Sequence, residues 1–388
     1  MPGWELIGKE EQDSLISIFS ESNGVMFAHG FDHLRNGRYR VREFENELKE
    51  FVSVDHCLAT TSGTMAQYIA MKAMGIGPGD EVITQAFTFV ATVETIIAIG
   101  ATPVIVDVND SYNMDPALLK NAINENTKLI IPVHMLGNPC DMDAIMDIAH
   151  THNLPVMEDG CEAFGAEFKN KKIGSLADVS VFSFDFAKTI TTGEGGCIFT
   201  NDKYLDKAMR EFHDHGHESN KLLPRGRDTK SFPGLNLRMS EIQAAVGQAQ
   251  LKKIDHIVGN NRRNKLILKN LISKANIPSL QFRRITDNQE LADTLIFNFD
   301  DIEKTKEVVM KMTEHGIGTK NLPDAMDWHF AGKWNHMFNE VDGYRTTWPV
   351  EWKRTADLLE RSISIPILCK STEAEMQDIA KNLIRQLK

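Results

Sequence analysis

The sequence predicts an α/β protein with a large domain built on a mostly parallel sheet sheathed by helices, followed by a smaller α+β domain. Three observations carry this. Short β-branched runs alternate with helical segments over residues 56–212, the pattern of strands joined by helical crossovers. Small polar clusters stand where several of those runs end, the place where open α/β sheets collect their functional groups. The chain has 388 residues and 42% hydrophobic content, enough for about two cores. The expected division is 1–250 for the large domain, with an N-terminal arm, and 251–388 for the small domain with its linking helix.

Residues 10–19 read as a helix. The Gly-, His- and Arg-rich segment 24–40 reads as an arm carrying Arg35, Arg38 and Arg40 among aromatic residues. An amphipathic helix follows over 41–51, with Val41, Phe44, Leu48 and Phe51 on one helical period. A strand at 56–60, a small polar turn at 61–64 and an apolar helix from 65 form a unit that can hold a phosphate on the N–H groups of a first helical turn. Strands are then expected at 81–84, 103–107, 127–134 and 155–159, and helices at 89–98, 116–123 and 142–152. Residues 179–184 and 197–200 read as strands and 202–212 as a helix. Residues 213–235 are polar and irregular. One long helix is expected over 240–272, then a strand at 295–299, a helix at 302–314, an aromatic-rich loop at 328–336 and a closing helix at 373–387.

The chain is organised around residues 178–200, DVSVFSFDFAKTITTGEGGCIFT. A buried strand delivers Lys188, and a Thr run with Gly193-Glu194-Gly195-Gly196 leads into the next strand. A lysine held between two strands has one approach geometry, which suits Schiff-base chemistry. Asp159 ends another apolar strand. A buried carboxylate beside a heteroaromatic nitrogen keeps that nitrogen protonated.

Composition narrows the function. A formal net charge of −11 argues against a nucleic-acid binder, whose affinity rests on phosphate neutralisation. The cysteines, Cys57, Cys140, Cys161, Cys197 and Cys369, form no CxxC pair and read as reduced cytosolic thiols. The acidic, mixed N-terminus does not read as a signal peptide, and no apolar run is long enough to cross a bilayer, so a cytoplasmic location is expected. His213, His215 and His217 match no recognised zinc spacing, and no metal is expected.

Six motifs, in order over essentially the whole chain, carry a resemblance. They are Ser62-Gly63-Thr64, the run Phe87 through Thr92, Glu158-Asp159, Phe182-Ser183-Phe184 with Lys188, the run Gly193 through Gly196, and the run Gly234 through Arg238. The set resembles the DegT/DnrJ/EryC1/StrS family of pyridoxal-phosphate-dependent sugar aminotransferases, which have the fold type I, aspartate-aminotransferase-like architecture. The resemblance implies pyridoxal 5'-phosphate as cofactor, joined to Lys188, which also carries protons. It implies that Asp159 pairs with the pyridine nitrogen, that Phe89 stacks on the ring, and that Ser62, Gly63, Thr64 and Ser183 hold the phosphate. Asn236 would reach that phosphate from a neighbouring subunit, making a homodimer the active unit. Glu162 stands near the cofactor's phenolic oxygen, where many relatives have glutamine. Burial and a cationic environment are expected to depress the Lys188 pKa.

The expected reaction moves an amino group from L-glutamate to a keto or aldehydo sugar. The arm GFDHLRNGRYR, the segment Asp214 through His217, and the loop DAMDWHFAGKWNH look similar to the branch that aminates 8-oxo-3-deoxy-D-manno-octulosonate for lipopolysaccharide. Arg35, Arg38, Arg40, His215, His217, Trp328 and His329 are then the candidates for holding the acceptor, with an arginine on its carboxylate. A nucleotide-linked 4-keto-6-deoxy-sugar and a smaller phosphorylated ketone are the alternative acceptors. A module that holds the cofactor without turnover is the alternative to an enzyme. A dehydrating relative has histidine at the lysine position, and Lys188 argues against that branch.

Overall fold

The structure is a computed structural model, and it describes residues 3–218, 220, 222–223, 227–230, 232–315, 320–339, 341 and 352–387, with backbone alone at 320–325. Its centre is a layer of seven strands: β1 His56–Thr60, β2 Glu81–Gln85, β3 Thr102–Val106, β4 Thr127–Ile130, β5 Met157–Asp159, β6 Val179–Ser183 and β7 Gly196–Thr200. β3, β2 and β4 pair in parallel, as do β5 and β6. Parallel bridges Ile130–Val156 and Val133–Asp159 join the two groups. The order across the layer is β3-β2-β4-β5-β6-β7-β1, with β7 antiparallel to both neighbours.

Every residue of β5, β6 and β7 is buried, as a sheet covered on both faces requires. Phe44, Leu48, Phe182, Phe184, Phe199 and Ile257 share one apolar cluster against this layer, and Ile69, Val82, Ile96, Val181 and Ile198 share another. In the C-terminal part, Gln281–Phe282, Thr294–Asn298, Ser362–Pro366 and Lys320–Asn321 form a second, antiparallel sheet. Helices Ile302–Glu314 and Glu373–Leu387 sit where the apolar spacing places them, and their buried faces share a cluster with Leu268 and Phe297.

Four expectations need correction. The long helix is two, Glu241–Leu251 and Ile254–Lys274. The sequence keeps helix-forming residues through Lys252-Lys253, so propensity does not place the break. It falls where the Lys253 ammonium donates to the Leu6 carbonyl and the Glu11 carboxylate, both at 2.7 Å. The aromatic-rich stretch is mostly helical: Leu322–His329, Ala331–Lys333 and Asn335–Phe338. Trp334 is buried there and its indole N–H donates to the Asp327 carbonyl at 2.9 Å. β4 stops at Ile130, and the chain turns through Met135–Gly137 with Leu136 at φ 49°. The helix expected from residue 89 begins at Ala91, leaving Phe89 on the turn before it. In the irregular stretch, Pro224, Arg225 and Gly226 lie outside the described residues.

Gly247 shows why one interior helix position carries no side chain. A Cβ there would lie 2.5 Å from the Phe44 ring, which is fully buried. Alanine normally gains about 1 kcal/mol over glycine inside a helix. Gly247→Ala is expected to do the opposite, lowering unfolding free energy by about 1–3 kcal/mol through overpacking. Urea denaturation of the two proteins checks the sign.

Candidate active site

The polar ends of β1, β5 and β6 meet at one cavity of about 240 Å³. Ser62, Gly63, Thr64, Phe89, Asp159, Glu162, Ser183 and Lys188 all line it. Strand geometry explains the arrangement, because parallel strands deliver their carboxyl ends, and the turns after them, to one edge of the sheet.

One end of the cavity is the start of helix Gly63–Ala73. Ser62 caps it, accepting the Met65 N–H at 3.1 Å, and the N–H groups of Gly63 and Thr64 have no carbonyl one turn back. The approach here leaves no spare volume. A Cβ on Gly63 would lie 2.7 Å from the Ser183 Cβ, and one on Gly196 2.5 Å from the Ser62 carbonyl carbon. A helix N-terminus bordered by a serine hydroxyl is an anion cradle.

Asp159 lies on another wall and is 2% exposed. Gln67 Nε2 and Thr92 Oγ1 donate to its Oδ2, each at 2.8 Å, and the Cys161 N–H donates to Oδ1 at 3.1 Å. Thr95 Oγ1 in turn donates to Gln67 Oε1 at 2.9 Å, and the Thr88 and Thr92 hydroxyls bond at 2.8 Å. The carboxylate is therefore fixed from three directions.

Lys188 is 9% exposed. Its Nζ lies 3.8 Å from Glu162 Oε1, 4.0 Å from Asp185 Oδ2 and 5.9 Å from the Phe89 ring centre. The expectation of a cationic environment is corrected here. Burial pushes the amine's pKa down, but the neighbours are anionic: Glu162 above all, with Asp185 and Asp159, outweighs burial and the net direction is up. Glu162 is itself fixed, because its Oε2 accepts the Leu136 N–H at 3.0 Å. That N–H is aimed by the left-handed turn at Leu136.

Trp328 and His329, from the C-terminal part, pack on Phe89 beside the cavity without lining it. Trp328 and His329 carbonyls accept the Val90 and Thr88 N–H groups at 2.8 and 3.0 Å. The Trp328 ring stacks near Phe89 (6.5 Å between centres, 16° between planes), and the His329 ring lies 5.3 Å from Phe89. His329 Nε2 is 3.9 Å from Glu162 Oε1.

Other candidates lie elsewhere in this chain. Arg35 is fully buried, donates to the Phe27 carbonyl and sits 4.1 Å over the Tyr39 ring. Arg38 pairs with Glu43 at 2.9 Å and Arg40 with Glu21 at 2.7 Å. These carboxylates engage the arginines, and none of the three lines the cavity. His217 bonds Asp228 at 3.0 Å, and His215 is an exposed residue beside it. Asn236 is exposed and bridges to Asp214 away from this cavity. Among the described residues no group of three or more His, Cys, Asp or Glu is placed to hold a metal.

Sequence reasoning missed Gln67, Thr92, Cys161, Asp185 and Glu194, which also line the cavity. Helical spacing could have found one of them: Gln67 is one turn beyond Gly63 on the same helix.

An anion cradle, a fixed carboxylate, an exposed phenyl face and a buried amine thus stand around one cavity. Comparison with known proteins agrees: residues 25–384 match the DegT/DnrJ/EryC1/StrS aminotransferase family, and the chain belongs to it. It is similar to a GDP-perosamine synthase of Caulobacter vibrioides, 46% identical over 231 residues, a match spanning 58% of this chain and 60% of that protein's length. It is also similar to the spore coat polysaccharide biosynthesis protein SpsC of Bacillus subtilis, 33% identical over 88% of this chain and 87% of that protein. Among solved structures it resembles NtdA from Bacillus subtilis with bound cofactor PMP, at TM-score 0.81 and 25% identity, covering 100% of this chain and 84% of that one. The cofactor is pyridoxal phosphate. No helix among the described residues is long and apolar enough to cross a membrane.

The anionic surroundings of Lys188 carry a consequence with a definite sign. Glu162→Gln removes the nearest charge that favours the ammonium, so a larger share of Lys188 is neutral amine at pH 8. Neutral amine is the form that attacks a carbonyl. Stopped-flow absorbance on cofactor-free protein is expected to show covalent capture of pyridoxal phosphate about 3- to 10-fold faster in the variant. An unchanged or slower rate contradicts the assignment.

Proposed function

We propose that the protein is a pyridoxal-phosphate-dependent aminotransferase that moves an amino group from an amino acid, with L-glutamate first, to a keto or aldehydo sugar. The observation that carries this is the placement of the Lys188 amine and the Asp159 carboxylate on one cavity whose end is the Gly63 helix start. When bound, the cofactor supplies an electron sink for the bond broken at the donor's α carbon. The chain's own residues do the rest. The N–H groups of Gly63 and Thr64, with Ser62 and Ser183, would hold the phosphate. Asp159, fixed by Gln67, Thr92 and the Cys161 N–H, would hold a proton on the ring nitrogen. Phe89 would cover one ring face. Lys188 Nζ would anchor the aldehyde and move the donor's proton, with Glu162 setting its charge state. Trp328 and His329, packed on Phe89 beside the cavity, would narrow the approach to it.

A homodimer is part of this reading. Asn236 of the partner subunit would complete the phosphate site, since Asn236 is exposed and does not line the cavity of its own chain. The exposed apolar side chains Met26, Phe27, Phe31, Leu34 and Leu235 support a surface that another subunit covers. Lys188→Ala is expected to lower turnover by at least about a thousandfold, measured as 2-oxoglutarate formation, while phosphate-dependent cofactor binding persists.

For the acceptor, we propose 8-oxo-3-deoxy-D-manno-octulosonate. Its support is the three segments that resemble that branch, one of which supplies Trp328 and His329 beside Phe89. The similarity to a GDP-perosamine synthase favours the second reading, a nucleotide-linked keto-sugar. Purified enzyme offered each acceptor with L-glutamate decides between them. The first reading expects turnover with the octulosonate, and turnover with nucleotide sugars alone overturns it.

A further inference from the structure

We propose that residues 3–11 form a clasp that positions Lys188 from its backbone side. The Gly3 N–H donates to the Lys188 carbonyl at 3.0 Å. No side chain fits at that point: a Cβ on Gly3 would lie 2.6 Å from the Lys188 carbonyl oxygen, 2.9 Å from that of Thr189 and 3.0 Å from the Ile190 Cα. Next to it the Trp4 ring stacks on Phe186, with centres 6.5 Å apart and planes 20° apart. The clasp thus touches the segment that carries the lysine at Phe186 and again at Lys188 through Ile190.

It is anchored at points distant in sequence. Glu5, 6% exposed, accepts the Lys370 N–H at 3.2 Å. The Leu6 carbonyl accepts from Lys253 Nζ at 2.7 Å. Glu11 accepts from Lys253 Nζ and Gln250 Nε2, both at 2.7 Å, and from the Gly8 N–H at 2.7 Å. These ties run from the lysine segment to the break between the two central helices and to the C-terminal part. The clasp residues themselves, 3–11, precede the stretch matched to the family, 25–384, whereas their partners Phe186, Lys188, Gln250, Lys253 and Lys370 lie within it.

The reason for such a grip is geometric. Lys188 Nζ must leave one partner and return to it while its Cα stays fixed, and a shift of about 1 Å at a reacting group can cost about a hundredfold in rate. Phe186 on the same segment is exposed, so its own packing does not hold it. The inference rests on the reading that Lys188 joins the cofactor.

Two variants of the full chain test it, Gly3→Val, which forces the clasp off, and Trp4→Ala, which removes only the stack. Trp4 is 47% exposed, so its loss leaves folding intact. Hydrogen exchange on the cofactor-free proteins is expected to show the 185–190 amides exchanging about tenfold faster in Gly3→Val, with β5 and β6 amides unchanged. In the holoenzymes, the pH midpoint of the visible absorbance band is expected to shift by about 0.5–1 unit. The kcat is expected to fall about tenfold with KM for the amino donor within about twofold. Trp4→Ala is expected to show the same directions at about a third of the size, and it carries the test if Gly3→Val does not fold. Wild-type exchange rates, or faster exchange with an unmoved midpoint, overturn the proposal. A wild-type protein without a lysine-linked band instead sinks the reading of Lys188, and the exchange measurement then still decides the clasp.

Discussion

Two consecutive buried carboxylates at the end of β5 set the constraint on which the site depends. Strand alternation sends Glu158 and Asp159 to opposite faces of the sheet. Glu158 faces the core, where an unpaired charge would be very costly. It accepts from the Gly174, Leu176 and Ala177 N–H groups at 2.9–3.2 Å, from Ser180 Oγ at 2.8 Å and from His134 Nε2 at 3.2 Å. The Cys140 N–H donates to His134 Nδ1, so the imidazole's proton sits on Nε2, toward Glu158. This network locks the register of β5 against β4 and β6. Asp159 then has one direction left, toward the cavity.

The rest of the site follows from that lock. The Val133–Asp159 bridge carries β5's position to the turn at Met135–Gly137. Arg283, buried and brought in from the second sheet, donates to the Met135 and Leu136 carbonyls at 2.6 and 3.3 Å. That turn aims the Leu136 N–H at Glu162, and Glu162 faces Lys188. Charge is thus distributed by rigid backbone, a preorganised arrangement that needs no rearrangement when charge develops in a reaction. The same logic applies to the phosphate end, where Gly63 and Gly196 let two backbones approach more closely than any side chain would permit.

The sequence made visible what depends on local rules. Most strands, the polar turn at 61–64 and the positions of Asp159, Ser183 and Lys188 follow from apolar runs and the polar residues that terminate them, although the end of β4 does not. Hidden were features set by partners distant in sequence. Arg35 looked free to meet an anion, but packing against Tyr39 and the Phe27 carbonyl buries it. The break at Lys252-Lys253 answers to Glu11 and Leu6, over two hundred residues away. Trp328 and Trp334 look alike in an aromatic-rich stretch, yet one is exposed beside Phe89 and the other fills the core. The anionic surroundings of Lys188 required knowing that Glu162 and Asp185 both turn toward it.

The account stands on a covalent bond between Lys188 and pyridoxal phosphate. Reduction of the cofactor-loaded protein with borohydride, followed by digestion and mass mapping, measures this directly. The phosphopyridoxyl mass is predicted on Lys188 alone among the lysines. Its appearance on another lysine, or its absence after cofactor has been supplied, would contradict the account.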